Sequence, residues 1–167
     1  MKGAGEWKEV SMSLSRVKQF FEEIGLGDRV KDLEQSSATV ELAAQALGCE
    51  TGQIAKTLTF LVNKQPLMVV CAGNVKVSNP KFKARFHRRP SMVPPEEVHG
   101  LTGHQVGGVC PFVVKEGVAV YLDQSLKVND IVYPGAGSSH SLVELTLEEL
   151  ERLARLVAWI DVCQPVI

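Results

Sequence analysis

Apolar positions along the chain change period several times, and each change marks an element. Leu14, Val17, Phe20, Phe21 and Ile24 recur at helical spacing, which predicts an N-terminal helix over about residues 13–25, ended by Gly25-Leu26-Gly27. Thr39 stands as an N-cap before VELAAQAL, and Gly48 occupies the position that closes that helix. Two strand-like runs follow, KTLTFLV and LMVVCA, separated by NKQP, a connection of hairpin length. Asn79-Pro80 opens a short basic helix with proline at its favoured first position, and a further short helix starts near Pro95. VAVYL, DIVYPGAG and SLVEL read as short strands. Thr146-x-x-Glu149 forms a capping box that opens LEELERLARLV, and AWIDVC reads as a last strand.

Interspersed strands and helices give an α/β (α+β) class, but the hairpins preclude an all-parallel sheet. The expected architecture is a mixed, mostly antiparallel sheet with packed helices, either open or closed into a barrel. No internal repeat or low-complexity linker divides the chain, so a single domain over residues 1–167 is expected.

Composition narrows the class. With 45% hydrophobic and 22% charged residues the chain is an ordinary globular one. No apolar run approaches the ~20 residues of a membrane span, and the N-terminus lacks the apolar core of a secretory signal. A cytoplasmic protein without a membrane partner is the expectation. Cys49, Cys71, Cys110 and Cys163 are widely spaced, and the histidines supply no ligand pair, so neither a metal nor another cofactor is expected.

A net charge of −1 argues against indiscriminate nucleic-acid binding, and no DNA partner is expected. The distribution is less even. Lys76, Lys81, Lys83, Arg85, Arg88 and Arg89 fall within KVSNPKFKARFHRRP, which contains no acid. The stretch is either a solvated helix face or an electrostatic footprint for a polyanion such as RNA.

Lys56 poses a sharper question. Strand alternation places it on the same face as Leu58, Phe60 and Val62, the more apolar face of its strand. Either it snorkels from the strand's start, or it points into a cleft and polarises something anionic.

Two glycine clusters add to this. TGHQVGGVCPF carries Gly103, Gly107 and Gly108, and YPGAGSSHS carries Gly135 and Gly137 followed by Ser138, Ser139 and His140. They read as tight turns or as loops whose backbone N–H groups meet an anion. With Lys56 they would make a kit for stabilising a developing oxyanion. No nucleophile–base pair accompanies them, which favours attack by water or by a hydroxyl of the substrate.

The segments SSATVELAAQALGCETGQIAKTLTF, LTGHQVGGVCPF and YPGAGSSHSLVELTLEEL, in this order and spacing, carry a resemblance. The chain resembles the YbaK-like family of aminoacyl-tRNA deacylases, which includes the editing domain inserted in bacterial prolyl-tRNA synthetases and its free-standing relatives. The similarity covers about residues 36–162. It implies a mixed sheet curled into a barrel with surrounding helices, and hydrolysis of the ester that joins a wrong amino acid to tRNA, without a metal. Its KT motif falls on Lys56 and Thr57, making Lys56 a catalytic-pocket lysine and Thr57 a substrate-binding neighbour. Its glycine loops fall on Gly107 and Gly108, the latter catalytic, and on Gly135 and Gly137, with Ser138 and His140 next.

The implied mechanism lays the tRNA acceptor end over Lys81, Lys83, Arg85, Arg88 and Arg89. Thr39, Ser138 and His140 would select the amino acid. One departure bears on specificity. Cysteine-specific members carry an aspartate where this chain has Leu142, so a small side chain such as alanine, serine or threonine is favoured over cysteine. Aminoacyl-tRNA, and with it an aminoacyl-tRNA synthetase, are the expected partners. The alternatives are a non-catalytic module that binds tRNA or a synthetase, and a regulatory protein that senses an amino acid.

Overall fold

A computed structural model describes the backbone of residues 4–166 and the side chains of residues 13–166. It contains five α-helices: α1 (Ala4–Glu23), α2 (Val40–Leu47), α3 (Asn79–Phe86), α4 (Pro95–Thr102) and α5 (Leu147–Leu153). Its strands are β1 (Val30–Asp32), β2 (Ile54–Val62), β3 (Gln65–Ala72), β4 (Val75–Val77), β5 (Ala119–Asp123), β6 (Ile131–Pro134), β7 (Ser141–Val143), β8 (Leu145–Thr146), β9 (Ala158–Ile160) and β10 (Cys163–Pro165). Among the described residues no helix is long and apolar enough to cross a membrane.

Six strands form one mixed sheet in the order β8-β6-β2-β3-β5-β9, curled into a half-barrel. The central hairpin β2–β3 is antiparallel, whereas β6 joins β2, β5 joins β3 and β9 joins β5 in parallel. Two antiparallel ribbons, β1–β7 and β4–β10, flank it. The mixed sheet agrees with the sequence expectation, and its curl stops short of a closed barrel.

Strand β3 shows why LMVVCA is continuously apolar. Met68, Val70 and Ala72 belong to a large core under α1 and α5, and Leu67, Val69 and Cys71 belong to a second core under α3. A strand buried on both faces has no polar side to display. The first core is sealed by Phe21, which meets Phe112 edge-on at 5.0 Å between ring centroids. The second is sealed by Phe82 against Phe60 at 5.0 Å.

The caps behave as read. The Thr39 hydroxyl accepts from the Leu42 amide, and Gly48 closes α2 at φ 68°. Thr146 and Glu149 exchange both capping-box bonds.

Several boundaries differ from the expectation. Helix α1 starts well before residue 13, and α5 ends at Leu153 because Arg155 takes a positive φ of 49°. Asn79 lies inside α3, with Ser78 as its N-cap. The β2–β3 turn shrinks to Asn63 and Lys64, both at positive φ as a two-residue hairpin turn requires. AWIDVC is split in two, since the Asp123 carboxylate takes the Val162 amide at 2.8 Å and pulls the chain out between β9 and β10.

Candidate functional site

Strand β2 pairs with β6 only at Ile54 and Ala55, and beyond that the two strands diverge. The gap is a cavity of about 380 Å³. One wall is β2 from Ile54 to Thr59, and another is the start of α2 with Thr39 and Val40. The segment around Met92 and Val93 closes it where the Val93 amide bonds to the Thr59 carbonyl at 3.0 Å. Both glycine loops complete it through Gly107, Gly135, Ser138 and Ser141. Residues far apart in sequence thus converge on one concavity of ligand size.

Lys56 sits where alternation put it. Its cross-strand partner is Cys71, so it shares its face with Leu58 and Phe60 and the second core. The side chain is half-buried, lines the cavity, and gives one hydrogen bond to the Val75 carbonyl at the start of β4. An ammonium has three donors, and among the described residues one is used, which leaves two for a ligand.

The two glycine loops touch each other. A Cβ added at Gly108 would lie 2.8 Å from the Gly137 carbonyl group and 2.9 Å from Ser138 Cα. Gly137 in turn has φ +99°, and its added Cβ would lie 2.9 Å from the Ser13 carbonyl oxygen of α1. The sequence marks both glycines, and the structure supplies the reason: α1, the Gly137 loop and the Gly108 loop stack without room for a methyl group. One expectation changes here. The Gly108 amide donates to the Gln105 carbonyl at 2.9 Å, so it is engaged in a turn and offers no donor to an oxyanion. Among the described residues the amides of Gly137 and Ser138 find no protein acceptor.

His104, whose sequence context suggested no role, locks this stack. It is buried, its Nε2 lies 2.7 Å from the Phe112 carbonyl and its Nδ1 2.5 Å from the Ser13 hydroxyl. A carbonyl can only accept, so Nε2 carries the proton and Nδ1 accepts from Ser13. Burial lowers the His104 pKa below the ordinary imidazole value, against the opposing effect of the Phe112 bond. The unfolded chain therefore binds a proton near pH 6.5 that the folded chain refuses. The contribution is complete above that pH and is lost as pH falls, by up to about 1.4 kcal/mol per pH unit. Melting temperatures between pH 8 and 5 should show this decline, and His104→Asn should flatten it; an unchanged slope would contradict the assignment.

The remaining sequence candidates divide. Thr39, Thr57, Gly107, Gly135 and Ser138 line the cavity, whereas Gly108, Gly137 and His140 do not. His140 is exposed, and its ring bonds to the Ser139 hydroxyl at 3.0 Å. The Thr39 hydroxyl is engaged in capping α2. Two lining residues that the sequence reading passed over are Thr59 and Ser141. Cys110 lies beside His104 at 3.6 Å, but burial pushes its thiol up to about 12, which leaves it unreactive. Among the described residues no three His, Cys, Asp or Glu side chains converge as metal ligands would.

The basic stretch lies on and after α3, with Lys81, Lys83, Arg85, Arg88 and Arg89 all exposed. Lys81 is tied to Asp161 and the Cys163 carbonyl, both at 3.0 Å. Arg85 stacks on Phe86 and Tyr121 at 5.5 and 5.7 Å. Arg88 and Arg89 share a shallow depression with Lys64 of the hairpin turn.

The sequence profile of the aminoacyl-tRNA editing domain matches residues 34–153, the segment that holds the cavity-lining part of β2 and both glycine loops. The chain belongs to the aminoacyl-tRNA editing domain family. It is 42% identical over 154 residues to the uncharacterised protein YwhH of Bacillus subtilis, covering 92% of this chain and 98% of that one. It is 29% identical over 114 residues to a candidate Cys-tRNA(Pro)/Cys-tRNA(Cys) deacylase, EbsC, of Enterococcus faecalis, covering 67% and 70% of the two chains. A solved structure described as that of a candidate trans-editing enzyme for prolyl-tRNA synthetase superposes with a TM-score of 0.81 at 31% identity. That match covers 91% of this chain and 97% of the other. Proline–tRNA ligase of Limosilactobacillus fermentum is 29% identical over 130 residues, which is 74% of this chain but only 22% of the ligase. Helix α1, which wedges against Gly137, lies outside the segment matched by the family profile.

Proposed function

We propose that the protein is an aminoacyl-tRNA deacylase acting in trans, and that it removes a small amino acid such as alanine, serine, threonine or cysteine from mischarged tRNA. The observation that carries this reading is the cavity itself, where Lys56, Thr57 and both glycine loops of an editing-domain chain line one concavity. Water adds to the ester carbonyl, the bond to the ribose oxygen breaks, and that oxygen leaves as a hydroxyl. The charge on the tetrahedral oxygen is met by the ammonium of Lys56 and by the amide of Ser138, donors fixed before the reaction. No metal enters these steps. Gly108 serves by close packing, which sets the distance between the loops.

The acceptor stem lies across the basic surface. Lys83, Arg88 and Arg89 are its main contacts, because Lys81 is already held by Asp161 and Arg85 by two rings. Each neutralised phosphate adds roughly 0.7–0.9 to the slope of log affinity against log salt. Replacing Lys83, Arg88 and Arg89 with alanine should therefore weaken tRNA binding and flatten that slope by up to ~2–3 units. Hydrolysis of a short aminoacyl ester lacking the tRNA body should be spared. An unaltered slope would return this surface to a solvated helix face.

Release of labelled amino acid from charged tRNA tests the function. A non-catalytic module would bind tRNA and release nothing. An amino-acid sensor would be stabilised by the free amino acid with no tRNA dependence.

A further inference from the structure

Hydroxyl groups around the cavity are not equivalent. Ser138 and Ser141 bond to each other at 2.7 Å, Ser37 bonds to the Ser139 carbonyl at 3.0 Å, and Thr39 caps α2. The hydroxyl oxygens of Thr57 and Thr59 are buried and have no partner among the described residues. Both residues line the cavity, they lie on one face of β2 at alternate positions, and Thr59 is only 5% exposed. Their cross-strand partners Val70 and Met68 are fully buried apolar residues that offer nothing to bond. A buried polar group without a partner is uncommon enough to need an explanation. A strand built for packing alone would carry valine here, which has the same shape.

We propose that Thr59, with Thr57 beside it, forms a hydrogen-bonding floor of the aminoacyl pocket and selects an amino acid whose side chain bears a hydroxyl. This rests on the deacylase reading of the same cavity and names its substrate class: seryl and threonyl esters ahead of alanyl and cysteinyl ones. The α-ammonium of the substrate does not belong on this floor. Among the described residues no carboxylate lines the cavity, Lys56 is already cationic, and an unpaired charge next to Met68 and Val70 would carry a large desolvation cost. The floor instead suits a small neutral group that both donates and accepts, and a thiol does this weakly. Rotation about χ1 exchanges the hydroxyl and methyl positions of a threonine, so either can be turned to the ligand. A pocket built to bond a hydroxyl discriminates against the analogue lacking it, because its own polar groups are then left unpaired.

The test uses two non-hydrolysable probes: adenosine carrying serine, or alanine, in amide linkage at the 3′ position. Binding to the intact protein is measured by calorimetry. The wild type should favour the seryl amide by about tenfold or more, and Thr59→Val should remove most of that preference. Thr59→Ser, which keeps a hydroxyl, should restore it. Thr59→Val should melt no lower than the wild type, since it removes an unpaired hydroxyl from an apolar floor. Equal binding of the two amides by the wild type, or a preference that survives Thr59→Val, overturns the proposal. Turnover is read separately. A seryl preference without release of amino acid from any charged tRNA would remove the deacylase reading and leave the subsite standing.

Discussion

Lys56→Ala should lower deacylation by about 10²- to 10³-fold, the loss expected when one fixed donor is taken from a developing oxyanion. The fold should survive. The lysine stem packs only in part, and among the described residues its one bond is to the Val75 carbonyl. Leaving that carbonyl unpaired costs about 1–3 kcal/mol, which lowers the melting temperature by several degrees without unfolding the chain at 25 °C. Lys56→Met separates the two effects, since it keeps the apolar stem and removes only the charge. It should match the alanine variant in turnover and exceed it in stability. Near-normal turnover in both would make Lys56 a strand-end residue that snorkels to the Val75 carbonyl and nothing more.

Gly108→Ala should lower turnover by about 10- to 100-fold, through geometry rather than through a lost donor. The added methyl group would lie 2.8–2.9 Å from backbone atoms of Gly137 and Ser138, so the two loops must move apart. A misplacement on the order of 1 Å at a reacting centre costs about 10²-fold. The same overpacking should cost about 1–3 kcal/mol of stability. Gly100→Ala is the matched control, because nothing lies within 4 Å of the position its methyl group would take. It should leave turnover intact and, being in a helix, leave the melting temperature equal or raised. Equal damage from both substitutions would reduce the Gly108 loop to an ordinary turn.

What the sequence disclosed depends on the range of the physics involved. Local signals were readable: the caps at Thr39 and Thr146, the hairpin, and an apolar run at β3 that only a central strand needs. The face of Lys56 followed from period two alone. Its bonding partner did not, because Val75 reaches it only after β3 has turned back into β4. His140 was carried into the site by motif position, and the turn that bonds Ser138 to Ser141 leaves it outside, in solvent. Thr59 carries no signal in the sequence, because a lone threonine is ordinary in a strand, and only the fold sets it opposite Met68 on a cavity wall. The bond from the Gly108 amide to the Gln105 carbonyl, which makes packing rather than hydrogen bonding the role of that glycine, leaves no trace in the sequence.

The measurement that bears most directly on the whole account is release of labelled amino acid from alanyl-, seryl-, threonyl-, cysteinyl- and prolyl-tRNA, run side by side with wild-type protein and Lys56→Ala. The account predicts release from the small esters by the wild type, fastest for seryl and threonyl and slowest for prolyl, and its near-complete loss in the variant. Binding of all five tRNAs with no release by the wild type, or release that Lys56→Ala leaves unchanged, would contradict it.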